Sequence, residues 1–413
     1  MKYSTLFGKA TRNVPKDEVT ANAELLTRAG FVEKLMAGAY TYLPLGLRVL
    51  DNISDIVREE MNAIGGQELL MPMLHPKANW VQTGGWDSID VLFKVQSRTG
   101  REYALGQSEE EVVTPLVMSR VQTWRDLPQL VYQIGWKFRD ELRSKSGVMR
   151  GREFLMKDLY SVHENQEEFD RFYATAKEAY LRVYERLGLS AKVTEASGGS
   201  FTEKISYEFM VLTDAGEDDI LYCDTCEFCV NLEIADVKAG DPCPKCDGGA
   251  LSQARASEVG NVFDLGQKYG RDFDMGFTDR EGRKQYPVMG CYGIGITRLM
   301  GVIVEKFHDD RGIVWPAVIA PAQVHLANLG KDEEAYREAG TLYETLRKRG
   351  IEVIWDERDV SAGVKLADAD LIGIPWRVVV SSRTREAGKV ELKPRTRDPE
   401  LVTTDELLSR LTS

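Results

Sequence analysis

Hydrophobic positions recur at helical spacing in three long stretches of the chain. Apolar residues three or four apart mark one face of residues 47–64, 169–187 and 336–346. This periodicity is typical of amphipathic helices. Each stretch is followed by a glycine, the residue that most often terminates a helix. These glycines are Gly65, Gly188 and Gly350.

Short apolar runs predict strands between and after these helices. Residues 129–139 and 153–160 read as two strands around a polar loop, and residues 68–74 and 101–105 read as shorter strands. Beyond the proline-containing segment 314–321, which is the best domain boundary, strands and helices alternate and predict a compact α/β domain. Its strands are 323–329, 351–355, 377–380 and 389–393, and its helices 332–349, 363–372 and 403–411.

Composition narrows the class of protein. The chain has 413 residues, of which 43% are hydrophobic and 29% charged, which is ordinary for a folded protein. No run approaches 18 apolar residues and the first residues lack a long apolar segment. We therefore expect no membrane association, no secretory signal and a cytoplasmic location.

Charge is distributed unevenly along the chain. The formal net charge is −12, which argues against loose nucleic-acid binding. Residues 137–157 nevertheless hold seven basic and three acidic side chains. This patch fits either a polyphosphate site or a solvated basic hairpin, and charge alone leaves both open.

Five of the six cysteines lie between Cys223 and Cys246. Cys223, Cys226, Cys243 and Cys246 have the spacing C-x₂-C-x₁₆-C-x₂-C, which favours a structural four-thiolate Zn²⁺ site. The alternative is a reduced, metal-free knuckle. Neither interpretation gives Cys229 a role.

Two polar constellations point to chemistry with phosphates. Phe138-Arg-Asp-Glu141 and Arg150-Gly-Arg-Glu-Phe154 flank an eight-residue loop. Arginine and glutamate two apart on a strand face the same way, so one face offers a cation and an anion. Gly290-Cys-Tyr-Gly-Ile-Gly-Ile-Thr-Arg298 allows close backbone approach and places an arginine at a helix start.

Taken in their order along the chain, these segments resemble the three signature motifs of class II aminoacyl-tRNA synthetases. Leu47–Pro72 resembles motif 1, Phe138–Phe154 motif 2 and Gly293–Arg298 motif 3. Further runs resemble the prolyl-tRNA synthetases over nearly the whole chain. They include Leu105-Gly-Gln-Ser-Glu-Glu-Glu-Val-Val-Thr114, Val259-Gly-Asn-Val-Phe-Asp-Leu-Gly266 and Asp356-Glu-Arg-Asp-Val-Ser-Ala-Gly-Val-Lys365.

The resemblance implies an α/β architecture: an α+β catalytic domain with an antiparallel sheet and flanking helices, a small zinc-ribbon-like insertion and a C-terminal α/β anticodon-binding domain. We expect the catalytic domain in two parts, residues 1–222 and 252–315. The Cys-rich insertion would be 223–251 and the anticodon-binding domain 316–413. Motif 1 implies a homodimer, although its helix could equally be an ordinary core helix.

The implied reaction is ATP-dependent activation of L-proline followed by transfer to tRNA(Pro), with Mg²⁺ accompanying ATP. The amino acid carboxylate is already ionised near pH 7, so positioning and charge neutralisation suffice. By motif position, Arg139 would bridge that carboxylate and the α-phosphate. Arg150 and Arg298 would hold the outer phosphates. Phe154 would stack on adenine, and Glu258 would help bind ATP and metal. The remaining ATP-site candidates are Glu141, Asn261, Gly293 and Gly295.

Proline recognition is assigned by the same resemblance. Glu110 would accept the substrate ammonium and Ser108 would contribute a hydroxyl contact. Ser108 and Glu111 also fit a helix capping box, which is compatible with that role. Cys291 fits a small apolar pocket wall better than a nucleophile. In the last domain Asp356, Arg358 and Lys365 are candidates for tRNA contacts, or else surface turn residues.

The chain departs from the family pattern in several places. Asn261 replaces the usual histidine, Ser108 the usual threonine, and Tyr207 the usual histidine of a Ser-His-Glu-Phe run. Only 139 positions separate Phe154 from Gly293, so the large editing insertion of many bacterial relatives has no room. We expect no editing in cis and a separate trans-editing protein. The alternative function is a non-catalytic paralogue that binds RNA or a regulator.

Overall fold

A computed structural model describes residues 1–13, 19–142, 144, 146–199, 202–329 and 333–412. The chain forms two compact units. The smaller unit comprises Met1–Met36, Tyr40–Ile53 and Ile303–Ser413, and the larger comprises Ala37–Ala39 and Ser54–Val302.

The elements are numbered here in chain order. The strands are β1 Val32–Met36, β2 Ala39–Tyr42, β3 Gln67–Glu68, β4 Leu74–Pro76, β5 Lys94–Gln96, β6 Glu102–Leu105, β7 Gln129–Phe138, β8 Glu153–His163, β9 Ala191–Ala196, β10 Ser206–Leu212, β11 Asp218–Cys223, β12 Cys229–Asn231, β13 Leu251–Gly266, β14 Phe277–Thr278, β15 Lys284–Gln285, β16 Val288–Gly295, β17 His308–Asp309, β18 Gly312–Ile313, β19 Val324–Asn328, β20 Val353–Asp356, β21 Trp376–Val380, β22 Val390–Pro394 and β23 Glu400–Val402. The α-helices are α1 Ala21–Arg28, α2 Pro44–Ala63, α3 Lys77–Thr83, α4 Gly85–Ser88, α5 Glu110–Met118, α6 Gln166–Arg186, α7 Lys268–Asp272, α8 Ile296–Lys306, α9 Glu333–Lys348, α10 Ala362–Ile372, α11 Ser382–Glu386 and α12 Thr404–Thr412.

A nine-stranded sheet dominates the larger unit. Its strand order is β10-β9-β12-β11-β13-β16-β8-β7-β3. The long central pairs β7–β8, β8–β16 and β16–β13 are all antiparallel. Two further pairs, β9–β12 and β3–β7, are parallel. The expected antiparallel sheet with flanking helices is therefore confirmed.

Helix α6 covers one face of this sheet because its apolar side chains share one stripe. Phe169, Tyr180 and Tyr184 of this stripe are fully buried. The helix begins where the Asn165 side chain accepts a hydrogen bond from the Glu168 N–H (3.0 Å). It ends before Gly188, whose φ of 77° suits glycine. None of the helices in the described part of the chain combines the length and apolar composition that a membrane crossing requires.

The smaller unit contains the alternating C-terminal domain that the sequence predicts. Its sheet has the order β20-β19-β21-β22-β23, and the first three strands are parallel. Helix α9 packs Ala339, Leu342 and Leu346 into the core of this sheet. The N-terminal segment adds a bridge between Lys2 and Trp355, a pairing that no local pattern indicated.

Two local predictions are wrong. Residues 68–74 form no continuous strand, because Met71 uses its N–H to bond the Gln133 side chain (2.8 Å) instead of a ladder partner. The capping box on Ser108 is absent. Helix α5 begins at Glu110 with Glu109 at the N-cap, and Glu111 accepts a hydrogen bond from the Thr83 hydroxyl (2.9 Å).

Candidate active site

One cavity of about 500 Å³ in the larger unit brings together all nine residues assigned to ATP. Three neighbouring sheet strands, β8, β16 and β13, together with helix α8, supply six of them, and the loop between β7 and β8 supplies the other three. Because adjacent antiparallel strands hold their side chains in register, residues far apart in sequence meet on one face. The nine are Arg139, Glu141, Arg150, Phe154, Glu258, Asn261, Gly293, Gly295 and Arg298.

Arg139 lies just past the end of β7 at the centre of the cavity. Its guanidinium stacks over the Phe154 ring at 5.2 Å and donates a hydrogen bond to the Gln107 carbonyl (3.4 Å). Burial and the positive charge of Arg298 lower the pKa of Arg139. Each of these two guanidinium groups makes the positive charge of the other less favourable. A bound polyanion would relieve this repulsion, so the pair forms a site for one.

Arg298, at the start of α8, is fixed by three hydrogen bonds. It donates to the Met149 carbonyl (2.9 Å) and to the Glu258 carbonyl and carboxylate (2.7 and 3.2 Å). Asn261 donates to the other oxygen of Glu258 (2.7 Å). A Cβ atom at position 293 would lie 2.9 Å from the side-chain oxygen of Asn261, so Gly293 keeps this part of the cavity open.

The basic patch of residues 137–157 divides into surface and interior groups. Arg150 is 40% exposed on its side chain and pairs with Glu141 (2.8 Å) and with Glu217. These hydrogen bonds raise the pKa of Arg150 although burial opposes the shift. Lys137 and Lys157 are fully buried, so they add nothing to a surface field. Arg143 and Lys145 lie outside the described residues.

Sequence reasoning missed an acidic wall beside the cavity. Glu217 and Asp218 line its polar extension together with Glu258, and Glu208 lies across from Asn261 on the neighbouring strand. Burial and the charges of Glu258 and Asp218 raise the pKa of Glu208 to about 8. Of this wall, the sequence assigned only Glu258 to the ATP site, because the neighbours of Glu258 are set by pairing between distant strands.

Glu110, Ser108 and Cys291 come together next to Arg139. Glu110 is 1% exposed. The Ser108 hydroxyl and the Cys291 thiol lie beside its carboxylate, and no basic side chain among the described residues pairs with it. Burial raises the pKa of Glu110, and burial and the Glu110 charge raise the pKa of Cys291. A buried carboxylate without a cationic partner is costly, so this arrangement fits a site completed by a cationic ligand.

Glu111 gives the fold a pH dependence of predictable sign. Burial and the charge of Glu110 raise its pKa to about 8, against 4.5 when unfolded. Between these values only the unfolded chain releases the proton, so the free energy of unfolding falls as pH rises, and the loss is complete above pH 8. We expect Glu111→Gln to gain about 3 kcal/mol relative to wild type between pH 5 and pH 8. Urea unfolding at both pH values measures this, and a constant difference would contradict it.

The four cysteines predicted as metal ligands form a compact cluster. Their Sγ atoms lie within 4.8 Å of one another. Cys223 and Cys246 are 3.7 Å apart, and Cys226 and Cys243 are 3.6 Å apart. Tetrahedral Zn–S bonds of about 2.3 Å require sulfur separations of about 3.8 Å. Cys229 is outside the cluster and contacts the Thr194 hydroxyl (3.1 Å).

The three tRNA-contact candidates have partners inside the smaller unit. Asp356 and Lys365 are buried, at 0% and 2% exposure, and the Lys365 ammonium donates to the Asn328 and Asp356 carbonyls (2.8 and 3.0 Å). Arg358 pairs with Asp356 and Asp368 and stacks on Tyr3. Contact of these three residues with RNA remains a prediction.

Comparison with protein families finds two models that match successive parts of the chain. Residues 93–307 match the tRNA synthetase class II core domain (G, H, P, S and T), and residues 318–413 match an anticodon binding domain. With the antiparallel sheet and the arginine-lined cavity, they define a class II aminoacyl-tRNA synthetase.

Curated relatives identify the specificity group. Proline--tRNA ligase of Syntrophus aciditrophicus is 33% identical over 547 positions, covering 96% of this chain and 94% of the relative. The enzyme of Thermosipho melanesiensis is 33% identical over 555 positions, covering 98% of each. The chain belongs to the proline--tRNA ligase family. Because the alignments are longer than the 413-residue chain, the chain lacks a large insertion found in these relatives.

Solved structures share the fold. Prolyl-tRNA synthetase from Cryptosporidium parvum, complexed with halofuginone and AMPPNP, superposes with a TM-score of 0.78 at 19% identity and covers 95% of this chain and 76% of its own. The Giardia lamblia enzyme in complex with prolyl-adenylate gives 0.77 at 19% identity, with 93% and 74% coverage.

Proposed function

We propose that this chain activates L-proline with ATP and transfers the prolyl group to the 3′ end of tRNA(Pro). The single observation that carries the proposal is Glu110, a buried carboxylate beside the arginine-lined cavity that no basic side chain in the described part of the chain pairs with. It offers one negative charge to the substrate ammonium. Arg139, Arg150 and Arg298 are all present, which argues against a non-catalytic paralogue.

The chemistry follows from the positions of these side chains. The proline carboxylate attacks the α-phosphorus of ATP and pyrophosphate leaves. Arg139 lies between Glu110 and the phosphate arginines, so its planar guanidinium can bridge carboxylate and α-phosphate. Phe154 offers a ring for adenine. No residue has to remove a proton, so the rate enhancement comes from orientation and charge neutralisation.

The acidic wall fits the Mg²⁺ that accompanies ATP. Mg²⁺ prefers carboxylate, phosphate and water oxygens, and it would neutralise charge on the phosphates. Glu258 is the first candidate ligand because it lies between Arg298 and the open cavity. Asp218 and Glu208 are next to it.

Amino-acid-dependent ATP–pyrophosphate exchange tests the main proposal. The assay would compare proline, alanine, cysteine and threonine as substrates for the purified chain. We expect strong exchange with proline and weaker exchange with alanine and cysteine. The absence of exchange with proline would overturn the proposal.

The cysteine cluster fits a structural zinc ion. The sulfur separations match tetrahedral coordination, and the N–H groups of Thr225 and Lys245 point at Cys223 and Cys243 (3.4 Å each), which stabilises thiolates. Gly249 leaves room, because a Cβ there would lie 2.4 Å from the Cys223 sulfur. Bound metal would hold residues 223–251 as a small insertion between the two parts of the catalytic domain.

We expect about one zinc per chain in protein purified without chelators. Strong chelation should lower the melting temperature, because structural zinc supplies folding free energy. Cys243→Ser should do the same, whereas Cys229→Ser, outside the cluster, should retain the metal. Elemental analysis that finds no zinc would refute the assignment.

The lack of the large insertion affects how accurately the enzyme distinguishes proline from alanine. A pocket for the proline ring discriminates against alanine only through lost methylenes, worth about 1–3 kcal/mol. We therefore expect the enzyme to form Ala-tRNA(Pro) and not to hydrolyse it, leaving clearance to a separate trans-editing protein. Prompt hydrolysis of preformed Ala-tRNA(Pro) by the purified chain would contradict this.

A homodimer through motif 1 is the assembly we propose. Apolar side chains in this motif are exposed: Leu47 at 51% and Leu70 at 80%, with Leu74 just beyond it at 51%. Exposed apolar side chains mark an interface where they are contiguous. Light scattering should give twice the chain mass, and a monomer at micromolar concentration would disprove it.

The C-terminal domain, residues 316–413, is the part proposed to read the tRNA(Pro) anticodon. Arg358 is the most accessible of the three candidates, with 16% of its side chain exposed. Asp356 and Lys365 would act by shaping the strand end that carries it. Because the proposed reaction feeds protein synthesis, we expect the enzyme in the cytoplasm.

A further inference from the structure

A closed ring of buried polar groups begins and ends on Glu109, the residue immediately before Glu110. The Glu109 carboxylate pairs with Lys137 (3.1 Å), and Lys137 also pairs with Asp158 (3.1 Å). Tyr160 donates its hydroxyl hydrogen to Asp158 (3.1 Å) and accepts the Glu109 N–H (2.8 Å). Glu109 is therefore held through both its side chain and its backbone.

The ring is anchored on three strands of the larger unit. Lys137 belongs to β7, and Asp158 and Tyr160 belong to β8. His75 of β4 contacts the second oxygen of Glu109 at 2.8 Å. All five side chains have at most 4% exposure, so water cannot replace a lost partner.

The ring also touches the residues assigned to proline. The Tyr160 hydroxyl lies 3.3 Å from the Ser108 hydroxyl. The backbone before Glu109 is packed so closely that a Cβ on Gly106 would meet the Glu109 carboxylate and the His75 ring, each at 2.8 Å. The segment 106–109 is thus held tightly by its neighbours.

The buried charges of this region leave one carboxylate, that of Glu110, available for a cationic ligand. Lys137 is shared by Glu109 and Asp158, whereas no basic side chain among the residues that the structure describes pairs with Glu110. Glu110, the carboxylate that Lys137 does not neutralise, is also the one next to Arg139. An ammonium group entering the site would supply the cation that Glu110 lacks.

We propose that Lys137 is a positioning residue, which fixes Glu109 and thereby aims Glu110 at the ammonium of the amino acid substrate. This rests on the proposed function and adds a determinant of amino acid affinity. Lys137 touches neither substrate. Its loss would free the carboxylate of Glu109 and loosen the start of α5, so the effect would fall on the amino acid and not on ATP.

Pyrophosphate exchange by Lys137→Met and Tyr160→Phe tests the proposal. For Lys137→Met we expect the KM for proline to rise about 30-fold or more, with the KM for ATP and kcat within about threefold of wild type. Tyr160→Phe removes a single hydroxyl and should raise the KM for proline about fivefold. Should Lys137→Met not fold, Tyr160→Phe decides.

Lys157→Met is the matched control. Lys157 is equally buried on β8, but its ammonium bonds Tyr180 of α6 and the Tyr292 carbonyl, outside the ring. It should lose stability and keep the wild-type KM for proline. The proposal fails if Lys137→Met, or Tyr160→Phe in its place, leaves the KM for proline within twofold of wild type, or raises both KM values equally. Wild-type protein without exchange would instead refute the proposed function.

Discussion

Replacing Glu110 with glutamine should nearly abolish proline activation. The variant keeps the size and burial of the side chain but removes a buried carboxylate that no basic side chain among the described residues neutralises. An unpaired buried ammonium costs several kcal/mol, so we expect kcat/KM for proline to fall about 10²–10³-fold. Proline-dependent pyrophosphate exchange measures the effect, and the KM for ATP should change little.

Glu111→Gln is the control for this substitution. Glu111 is adjacent and nearly as buried, at 2% exposure, but its carboxylate accepts the Thr83 hydroxyl. It should keep kcat/KM for proline within about fivefold of wild type. If both variants lost the same fraction of kcat/KM, the loss would come from removing any buried carboxylate at the start of α5. It would then not come from removing the partner of the substrate ammonium.

Arg139→Lys should be the other large loss. Lysine keeps the charge but cannot offer two parallel N–H groups, so it cannot bridge the carboxylate and the α-phosphate at once. We expect kcat/KM to fall about 10²–10⁴-fold, with both substrates affected. Measuring exchange while varying proline and ATP in turn separates the two contributions.

Arg150→Lys provides the comparison. Arg150 is more exposed and already pairs with Glu141 and Glu217, so its loss should raise the KM for ATP about tenfold and leave the KM for proline near wild type. An Arg139→Lys variant that behaved in the same way would argue against the bridging role.

Sequence patterns predicted the parts of this molecule that depend on neighbours in the chain. The two strands around the motif 2 loop, helix α6 with Gly188 and the alternating C-terminal elements are all found in the structure. The nine residues assigned to ATP each belong to a short run with its own motif, and their contact with ATP stays a prediction. Strand pairing then brought the runs into one cavity.

The failures involve contacts between distant segments. Lys137 belonged to a basic run, and nothing local indicated that Glu109 and Asp158 would bury it. Asp356 and Lys365 lie in a polar run that reads as a surface turn. In the fold, Asp356 pairs with Arg358, over which Tyr3 packs from more than 350 positions away. Long-range partners of this kind leave no periodicity in either segment.

The central position of β7, β8, β16 and β13 links activity to global stability. Each of these strands has a hydrogen-bonded neighbour on both sides, and β8, β16 and β13 carry six of the twelve residues assigned to proline and ATP. Their amides should therefore be among the last to undergo hydrogen exchange with solvent, since such strands open only when the whole unit unfolds. Heat inactivation should then coincide with cooperative melting of the unit, without an earlier phase in which a folded enzyme has lost its site.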